Sequence, residues 1–430
     1  MNKTSIYFIS ILFFISCSNK GTSQQQQNGT TNKITLSAIE DFQKKYSKSD
    51  LQIDFNQLIS ELEKHPSLYF FTTKKEWERY TKSQFEKIND SMKIDEFYQI
   101  CAPIVAKVGC GHTVMYNLKF NSFTKKALSY IPYKFHIINN QVFVKENLSA
   151  SNYIPLSSEI TAINGKLMIE VLNEISKTIS ADGYNKHYKN KMITKGFTYY
   201  YHVLFGLKER YVLDYKINGK NLKEQINLPV ITFLEKKSNN QNEEALLEFN
   251  VDNNTRTGII KIKSFSFYNN VAKFKSFIDD SFQEINSKKL SNIIIDLRGN
   301  QGGDPYCSSY LLRAISVKPI TYYKDDTDYP ELLKPQKSLG YKIINKPYIL
   351  TDGFGFSSTG HFCALVKHHD LGIFIGEETG STYTCNAHQR NVELKNTKLF
   401  IQVAQKTVEV DVPETEFSKK EGILPTFKIK

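Results

Sequence analysis

The sequence predicts an α/β protein whose core is preceded by a helical region. Residues 231–430 alternate short, apolar, β-branched runs with amphipathic stretches, an order typical of a largely parallel sheet covered by helices. Residues 34–110 instead carry apolar side chains at spacings of three and four, which predicts a small helical bundle. Because 430 residues exceed the usual size of one hydrophobic core, we expect two or three domains.

The amino terminus has the pattern of an export signal. Lys3 precedes an apolar stretch at residues 6–15, which is too short to span a bilayer and fits the apolar part of a signal peptide. The cysteine that follows resembles the modified residue of a bacterial lipoprotein. We therefore expect a signal peptide at residues 1–16, a lipid on Cys17, a polar tether at residues 17–33 and attachment at the cell envelope, on a periplasmic or outer-membrane face. An ordinary secretory signal with an incidental cysteine is the alternative.

Composition argues against several other functions. The formal net charge of +12 comes from 56 basic and 44 acidic residues that are interleaved, so we do not expect nucleic-acid binding. The five cysteines after Cys17 form no CxxC pair, and neither a metal site nor another cofactor is predicted. We expect most of these five to be small buried hydrophobic residues: Cys101, Cys110, Cys307, Cys363 and Cys385.

The middle of the chain, residues 111–230, has a mixed character. Segments such as YKFHIINNQVFVKE and ERYVLDYKIN alternate apolar and polar side chains and predict strands. Within this region, a strand at Glu159–Ile163 meets an Asn-Gly turn and then an amphipathic helix.

The stretch IIIDLRGNQGGD, at residues 293–304, predicts a buried strand that ends in a polar, glycine-rich turn. In open α/β sheets, ligands bind at this end of the strands, and glycine lets backbone N–H groups approach them. Gly302 and Gly303 are therefore candidates for a phosphate cradle, a plain tight turn or half of an oxyanion hole. The phosphate interpretation lacks both the GKS/T ending and the dinucleotide spacing.

Ser358 falls at a second turn of this kind. The strand PYILTD ends at Asp352, the glycine-punctuated segment GFGFSS follows, and an apolar helix is predicted to begin near Thr359. A serine at a helix amino terminus meets free N–H donors and the positive end of the dipole, which favours an oxyanion there. A serine that only caps the helix is the alternative.

These motifs together resemble a known family. The segment DLRGNQGGD, the serine turn, IGEETGS at residues 375–381 and the terminal EGILPTFKI are similar to the tail-specific, or C-terminal processing, serine peptidases. The segment SEITAINGK resembles the PDZ-like module of many members. The resemblance implies a crotonase/Clp-protease-like spiral core at residues 231–430 and acyl transfer to Ser358. It also implies an oxyanion hole formed by the N–H of Gly302 or Gly303 with that of Thr359.

The chain departs from this family at the general base. Most bacterial members use a lysine after the strand that here reads FIGEET, but no lysine lies between Lys367 and Lys395. In VGCGHTVMY, His112 resembles the histidine of the tricorn-like branch, whose members use Ser, His and Glu. An imidazole with a pKa near 6.5 takes up and returns a proton at neutral pH. The branch places its glutamate near Glu421, and Glu378 is the rival.

We therefore expect an exported serine peptidase that cleaves peptides or unfolded proteins, anchored to a membrane through Cys17. Two alternatives stay open, and the missing lysine favours the first of them. One is a binding protein on the same core, as in the retinoid-binding relatives of the family, because a fold does not guarantee catalysis. The other is a scaffold in which only the PDZ-like part docks peptides.

Overall fold

The computed structural model of the chain describes residues 43–117, 131–147, 154–183, 185–206, 208, 210–227, 245–325, 328–415 and 419–429. The predicted signal peptide, Cys17 and the tether lie outside these residues. Within them, no helix is both long enough and apolar enough to cross a bilayer.

The helices are labelled α1 (Lys48–Leu62), α2 (Lys74–Phe85), α3 (Ile94–Lys107), α4 (Met168–Thr178), α5 (Lys186–Phe205), α6 (Val271–Ser287), α7 (Pro305–Ile315) and α8 (Ser358–His368). The strands are β1 (Lys45–Tyr46), β2 (Met92–Lys93), β3 (Val114–Tyr116), β4 (Tyr133–Ile138), β5 (Gln141–Asn147), β6 (Glu159–Ile163), β7 (Lys166–Leu167), β8 (Arg210–Ile217), β9 (Lys220–Asn227), β10 (Leu247–Asp252), β11 (Thr257–Ile262), β12 (Asn292–Asp296), β13 (Tyr348–Thr351), β14 (Ile373–Gly376), β15 (Thr384–Ala387), β16 (Arg390–Glu393), β17 (Phe400–Val403), β18 (Lys406–Glu409) and β19 (Phe427–Lys428).

Helices α1, α2 and α3 occupy the region where the apolar spacing predicts helices. The hydroxyl of Ser47 accepts the N–H of Asp50 at the start of α1, and Thr73 and Glu76 form a capping box at the start of α2. Caps of this kind contribute about 1 kcal/mol each. The apolar faces of the three helices bury Trp77 completely, so tertiary packing stabilises them.

The middle region is built on an antiparallel sheet. Its strand order is β4-β5-β6-β8-β9, with β7 paired to β6 at one side. After β6 the chain reverses at Asn164 and Gly165, whose φ angles of 50° and 78° suit the predicted Asn-Gly turn. Helix α4 then buries Val171 and Ile175 in the core that this sheet shares with α1, α2 and α3.

The carboxyl-terminal half contains a six-stranded sheet with the order β10-β11-β12-β13-β14-β19. Strand β10 is antiparallel to β11, and the other pairs are parallel, as expected for an α/β core. Along β12, Ile293 and Ile295 are buried but Ile294 is only half-buried. The predicted strand is thus buried on one face and partly open on the other, because alternate side chains point to opposite faces.

Part of the carboxyl-terminal half packs against the helical region. Strand β17 pairs with β3 so that Ile401 lies opposite Met115, and the N–H of Ala404 donates to the hydroxyl of Thr113. Ile401 is also buried in the same core as α1, α2 and α3. The residues that directly follow His112 are thereby held by the far end of the chain. All five described cysteines are buried, as expected for most of them.

Candidate active site

The chain turns sharply between β13 and α8. Helix α8 begins at Ser358, and Ser357 before it has φ 56° and ψ −129°, which a residue with a side chain rarely adopts. Ser357 is thus the N-cap, and the interpretation of Ser358 as a capping serine is wrong. Backbone strain of this kind costs about 1–3 kcal/mol and persists only where the surrounding structure enforces it.

Among the residues that the structure describes, the buried hydroxyl of Ser358 has no hydrogen-bond partner. The residue is 2% exposed, although its carbonyl oxygen accepts a bond from the Tyr322 hydroxyl at 3.3 Å. An unpaired buried hydroxyl costs roughly 1–3 kcal/mol. The Ser358 oxygen therefore lies at a strained turn with its hydrogen-bonding capacity unused by the described residues.

The glycine-rich turn after β12 is braced from both ends. The Arg298 guanidinium donates to both carboxylate oxygens of Asp296, at 2.9 and 2.7 Å. Further along, the side-chain oxygen of the buried Asn300 accepts the N–H of Gly302 at 2.9 Å and the hydroxyl of Thr359 at 2.8 Å. Asn300 therefore ties the turn directly to the start of α8.

The three predicted oxyanion donors differ in their availability. The N–H of Gly302 is occupied by Asn300, and the N–H of Thr359 donates to the carbonyl oxygen of Phe356 at 3.1 Å. The N–H of Gly303 has no partner within the described residues. Gly303 also has a φ of 143°, and a Cβ there would lie 2.2 Å from the backbone nitrogen of Ser266, so only glycine fits.

His112 lies in the turn that follows α3 and stacks on Phe356. Its Nδ1 is 3.9 Å from the Cys385 sulfur. Burial, together with the nearby His361 and His388, lowers the pKa of His112 to about 3. The imidazole is therefore neutral at pH 7 and available to accept a proton.

Ser358, His112 and Gly303 line one open cavity of about 290 Å³. The structure thus brings together His112 and Ser358, which lie 246 positions apart in the sequence. No hydrogen bond joins His112 to the Ser358 hydroxyl. Catalytic hydrogen bonds are often long before a substrate binds, so Ser358 and His112 stay the predicted pair although no hydrogen bond joins them.

The two candidate glutamates lie elsewhere. Glu421 is exposed, whereas Glu378 accepts the Gly422 N–H at 2.8 Å and the Asn185 side-chain amide at 3.0 Å. Neither lines the cavity, and within the part of the chain that the structure describes no carboxylate is hydrogen-bonded to His112.

The cavity also contains residues that the sequence reasoning did not single out. His361 stands one turn after Ser358 on α8 and is buried, with its Nδ1 3.3 Å from the Tyr323 hydroxyl. The i, i+3 spacing on one helix was a signal that could have identified it. Cys385 and the exposed Lys195 line the same cavity, and no local pattern in the sequence indicates either one. In the residues that the structure covers, no three His, Cys, Asp or Glu side chains are grouped to hold a metal ion.

The fold is similar to that of known peptidases. Residues 256–429, less than half of the chain, match the sequence model described as Peptidase family S41. Mature CPAF aligns with a TM-score of 0.62 and 12% identity over 89% of this chain and 92% of its own. Mature CPAF complexed with lactacystin aligns with a TM-score of 0.61 and 12% identity over 89% of this chain and 93% of its own. The photosystem II D1 C-terminal processing protease aligns with a TM-score of 0.45 and 12% identity over 88% of this chain and 93% of its own. No curated protein matches the chain.

The described residues form a mixed α/β fold similar to that of mature CPAF, and part of the chain matches a peptidase family model. The match of residues 256–429 to Peptidase family S41 supports the predicted resemblance for that part of the chain. At 12% identity, the likeness to CPAF shows a shared fold alone. The tricorn-like branch and the roles of individual residues stay predictions.

Proposed function

We propose that this protein is an exported serine peptidase in which Ser358 is the nucleophile and His112 the general base. One observation carries the proposal: the unpaired, buried hydroxyl of Ser358 and the neutral imidazole of His112 line the same cavity. A serine hydroxyl is a weak nucleophile without a positioned base, and His112 supplies a base where the family's usual lysine is missing.

The proposed reaction is acyl transfer. The Ser358 oxygen attacks the carbonyl carbon of a peptide bond while its proton passes to His112. His112 then returns that proton to the leaving amine as the C–N bond breaks, which yields an acyl-serine that water hydrolyses. The N–H of Gly303 is free to bind the developing oxyanion, whereas Thr359 must first exchange its bond to the Phe356 carbonyl.

The surroundings of His112 are unusual for the proposed Ser-His-Glu arrangement. The Cys385 thiol, rather than a carboxylate, is the group near Nδ1. A carboxylate in this position orients the ring and stabilises the imidazolium, and without one the imidazole is a weaker base. Glu421 and Glu378 remain the candidates for an orienting carboxylate, and either one would have to move on substrate binding.

A non-catalytic binding protein on the same fold is the second candidate. It is favoured by the same absence of a carboxylate beside His112 in the described residues. Such a protein would use the cavity for a hydrophobic ligand or a peptide without cleaving it.

Peptides or unfolded proteins are the proposed substrates, and a PDZ-like role is proposed for the middle antiparallel sheet with α4. The location at the cell envelope, with a lipid on Cys17, is also a proposal, and it rests on the amino-terminal sequence.

Labelling with a fluorophosphonate probe separates enzyme from binder. The wild-type protein and the Ser357→Ala control are expected to be labelled, and Ser358→Ala is not. A folded wild-type protein that stays unlabelled between about pH 6 and 9 would support the binding protein instead.

A further inference from the structure

Asp182 is a buried carboxylate that lies outside the cavity. It sits in the short connection between α4 and α5 and is 3% exposed. One carboxylate oxygen accepts the N–H of Gly111 at 2.7 Å, and the other accepts the hydroxyl of Ser381 at 3.1 Å. The N–H of Gly183 also donates to the carbonyl oxygen of Gly109, so this connection is fastened to the turn that carries His112.

Ser381 extends the same chain of hydrogen bonds to the other side of the site. Its oxygen accepts the N–H of Ser357 at 2.7 Å. Ser357 is the strained residue at the start of α8, with a φ of 56°. Ser381 is fully buried against α8, since a Cβ at Gly360 would come within 2.3 Å of the Ser381 Cβ. The Ser357 backbone is therefore held by a hydroxyl that has little freedom to move.

The two ends of this chain are the direct neighbours of the proposed catalytic residues. Gly111 precedes His112, and Ser357 precedes Ser358. We infer that Asp182 is a positioning residue which, through Ser381, sets the placement of His112 relative to Ser358. This inference rests on the proposed peptidase function. A misplacement of about 1 Å between reacting groups costs about a hundredfold in rate, so the effect falls on turnover.

The ionised carboxylate is the form that accepts both bonds. A protonated Asp182 must donate its own proton, which removes one of the two acceptors. The titratable groups that face it are Cys110 and Tyr188, both buried and uncharged at neutral pH. Burial raises the pKa of Asp182 to about 7, which places this loss within the range where a peptidase is assayed.

The test measures three quantities for each variant. They are the rate constant for fluorophosphonate labelling of Ser358, the KM and kcat for a peptide substrate, and the melting temperature of the protein. Asp182→Ala and Ser381→Ala are each expected to slow labelling by about ten- to a hundredfold. The double variant is expected to be no slower than the slower single variant, because both residues act through one chain of bonds. KM should change less than about twofold, since neither side chain lines the cavity.

Two further variants separate positioning from stability. Asp182→Asn keeps an oxygen that can accept the Gly111 N–H. At pH 8 its labelling rate should therefore be close to that of the wild type, and the change of that rate with pH near 7 should disappear. Asp54→Ala is the matched control, because Asp54 is also buried and accepts the N–H and hydroxyl of Thr397, and neither residue lines the cavity. We expect it to lower the melting temperature and leave the labelling rate of the folded protein unchanged.

Additive slowing in the double variant, or a wild-type rate in Ser381→Ala, would overturn the inference while the peptidase function stands. If Asp182→Ala does not fold, Ser381→Ala and Asp182→Asn decide the matter. A wild-type protein without labelling rejects the proposed function itself, and with it the inference.

Discussion

His112 and Phe356 stack with their ring centroids 4.5 Å apart and their planes inclined by 29°. Phe356 lies two residues before Ser358, and Tyr188 covers its other face at 4.6 Å. A Cβ on Gly111 would lie 2.6 Å from the Phe356 ring, so glycine is required for this close approach. The proposed base is thereby packed directly against the segment that carries the nucleophile.

Phe356→Leu is expected to lower kcat by about tenfold, because the imidazole loses the flat surface that orients it. The matched control is Phe362→Leu, a fully buried phenylalanine of α8 that does not line the cavity. Both changes should reduce stability by about 1–2 kcal/mol, as repacking of a core aromatic residue does. Equal losses of kcat in the two variants would contradict the role given to the stack.

His112→Ala is expected to reduce the labelling of Ser358 by about a hundredfold or more, since general-base assistance contributes roughly 10²–10⁴. His361→Gln is the control, because His361 lines the same cavity from the same helix as the nucleophile. Its rate should stay within about threefold of the wild type. A larger loss in His361→Gln than in His112→Ala would transfer the role of base to His361.

The pH dependence of kcat/KM should show the lowered pKa of His112. Only neutral imidazole accepts the serine proton, so activity falls as the pH drops through that pKa, which burial lowers to about 3. Asp182→Asn removes the carboxylate that titrates near 7, and the remaining acid limb is therefore expected well below pH 6. An acid limb near 6.5 in that variant would show that the base has an ordinary histidine pKa.

Gly303→Ala is expected to slow the labelling of Ser358 by a factor of about 10²–10³. A Cβ at this position would meet the backbone of Ser266 and displace the Gly303 N–H. Gly299→Ala provides the matched control. Gly299 also has a positive φ, of 84°, but no atom lies within 4 Å of an added Cβ. It should cost about 1 kcal/mol of stability and keep labelling close to the wild-type rate.

Buried histidines predict a loss of stability in acid. Burial lowers the pKa of His65 and His202 to about 4 each, so below pH 6.5 the unfolded chain binds protons that the folded protein does not. Their stabilising contribution is present above pH 6.5 and is lost as the pH falls through 4. His112, whose pKa burial lowers to about 3, adds a third such proton, and Asp182, whose pKa is raised to about 7, contributes one in the opposite direction. The net difference of two protons gives a slope of up to about 3 kcal/mol per pH unit. Urea unfolding at several pH values measures this slope, and His65→Gln with His202→Gln should flatten it.

Cys17→Ala is expected to release the protein from membranes or to leave the precursor unprocessed. Mass spectrometry of the mature amino terminus provides the measurement. A mature chain that begins elsewhere and carries no lipid would contradict the anchor.

Elements with local signals can be predicted from the amino-acid sequence. The strand that ends at Asp296, the Asn-Gly turn after Ile163 and the serine at the start of α8 each follow from side chains within a few residues of one another. The family resemblance, which also rests on contiguous motifs, came from the same source. The resemblance additionally placed His112 beside a serine far along the chain.

Which groups meet at the site depends on tertiary packing. Asp182 contacts residues 71 positions before it and 199 positions after it. Cys385 approaches His112 across 273 positions, and Gly303 rather than Gly302 keeps a free N–H because of the side chain of Asn300. Periodicity and turn propensity report only the backbone preferences of neighbouring residues, whereas these contacts depend on how sheets and helices pack. For that reason the sequence predicts the strands and turns that carry the catalytic candidates, and the packing selects their partners.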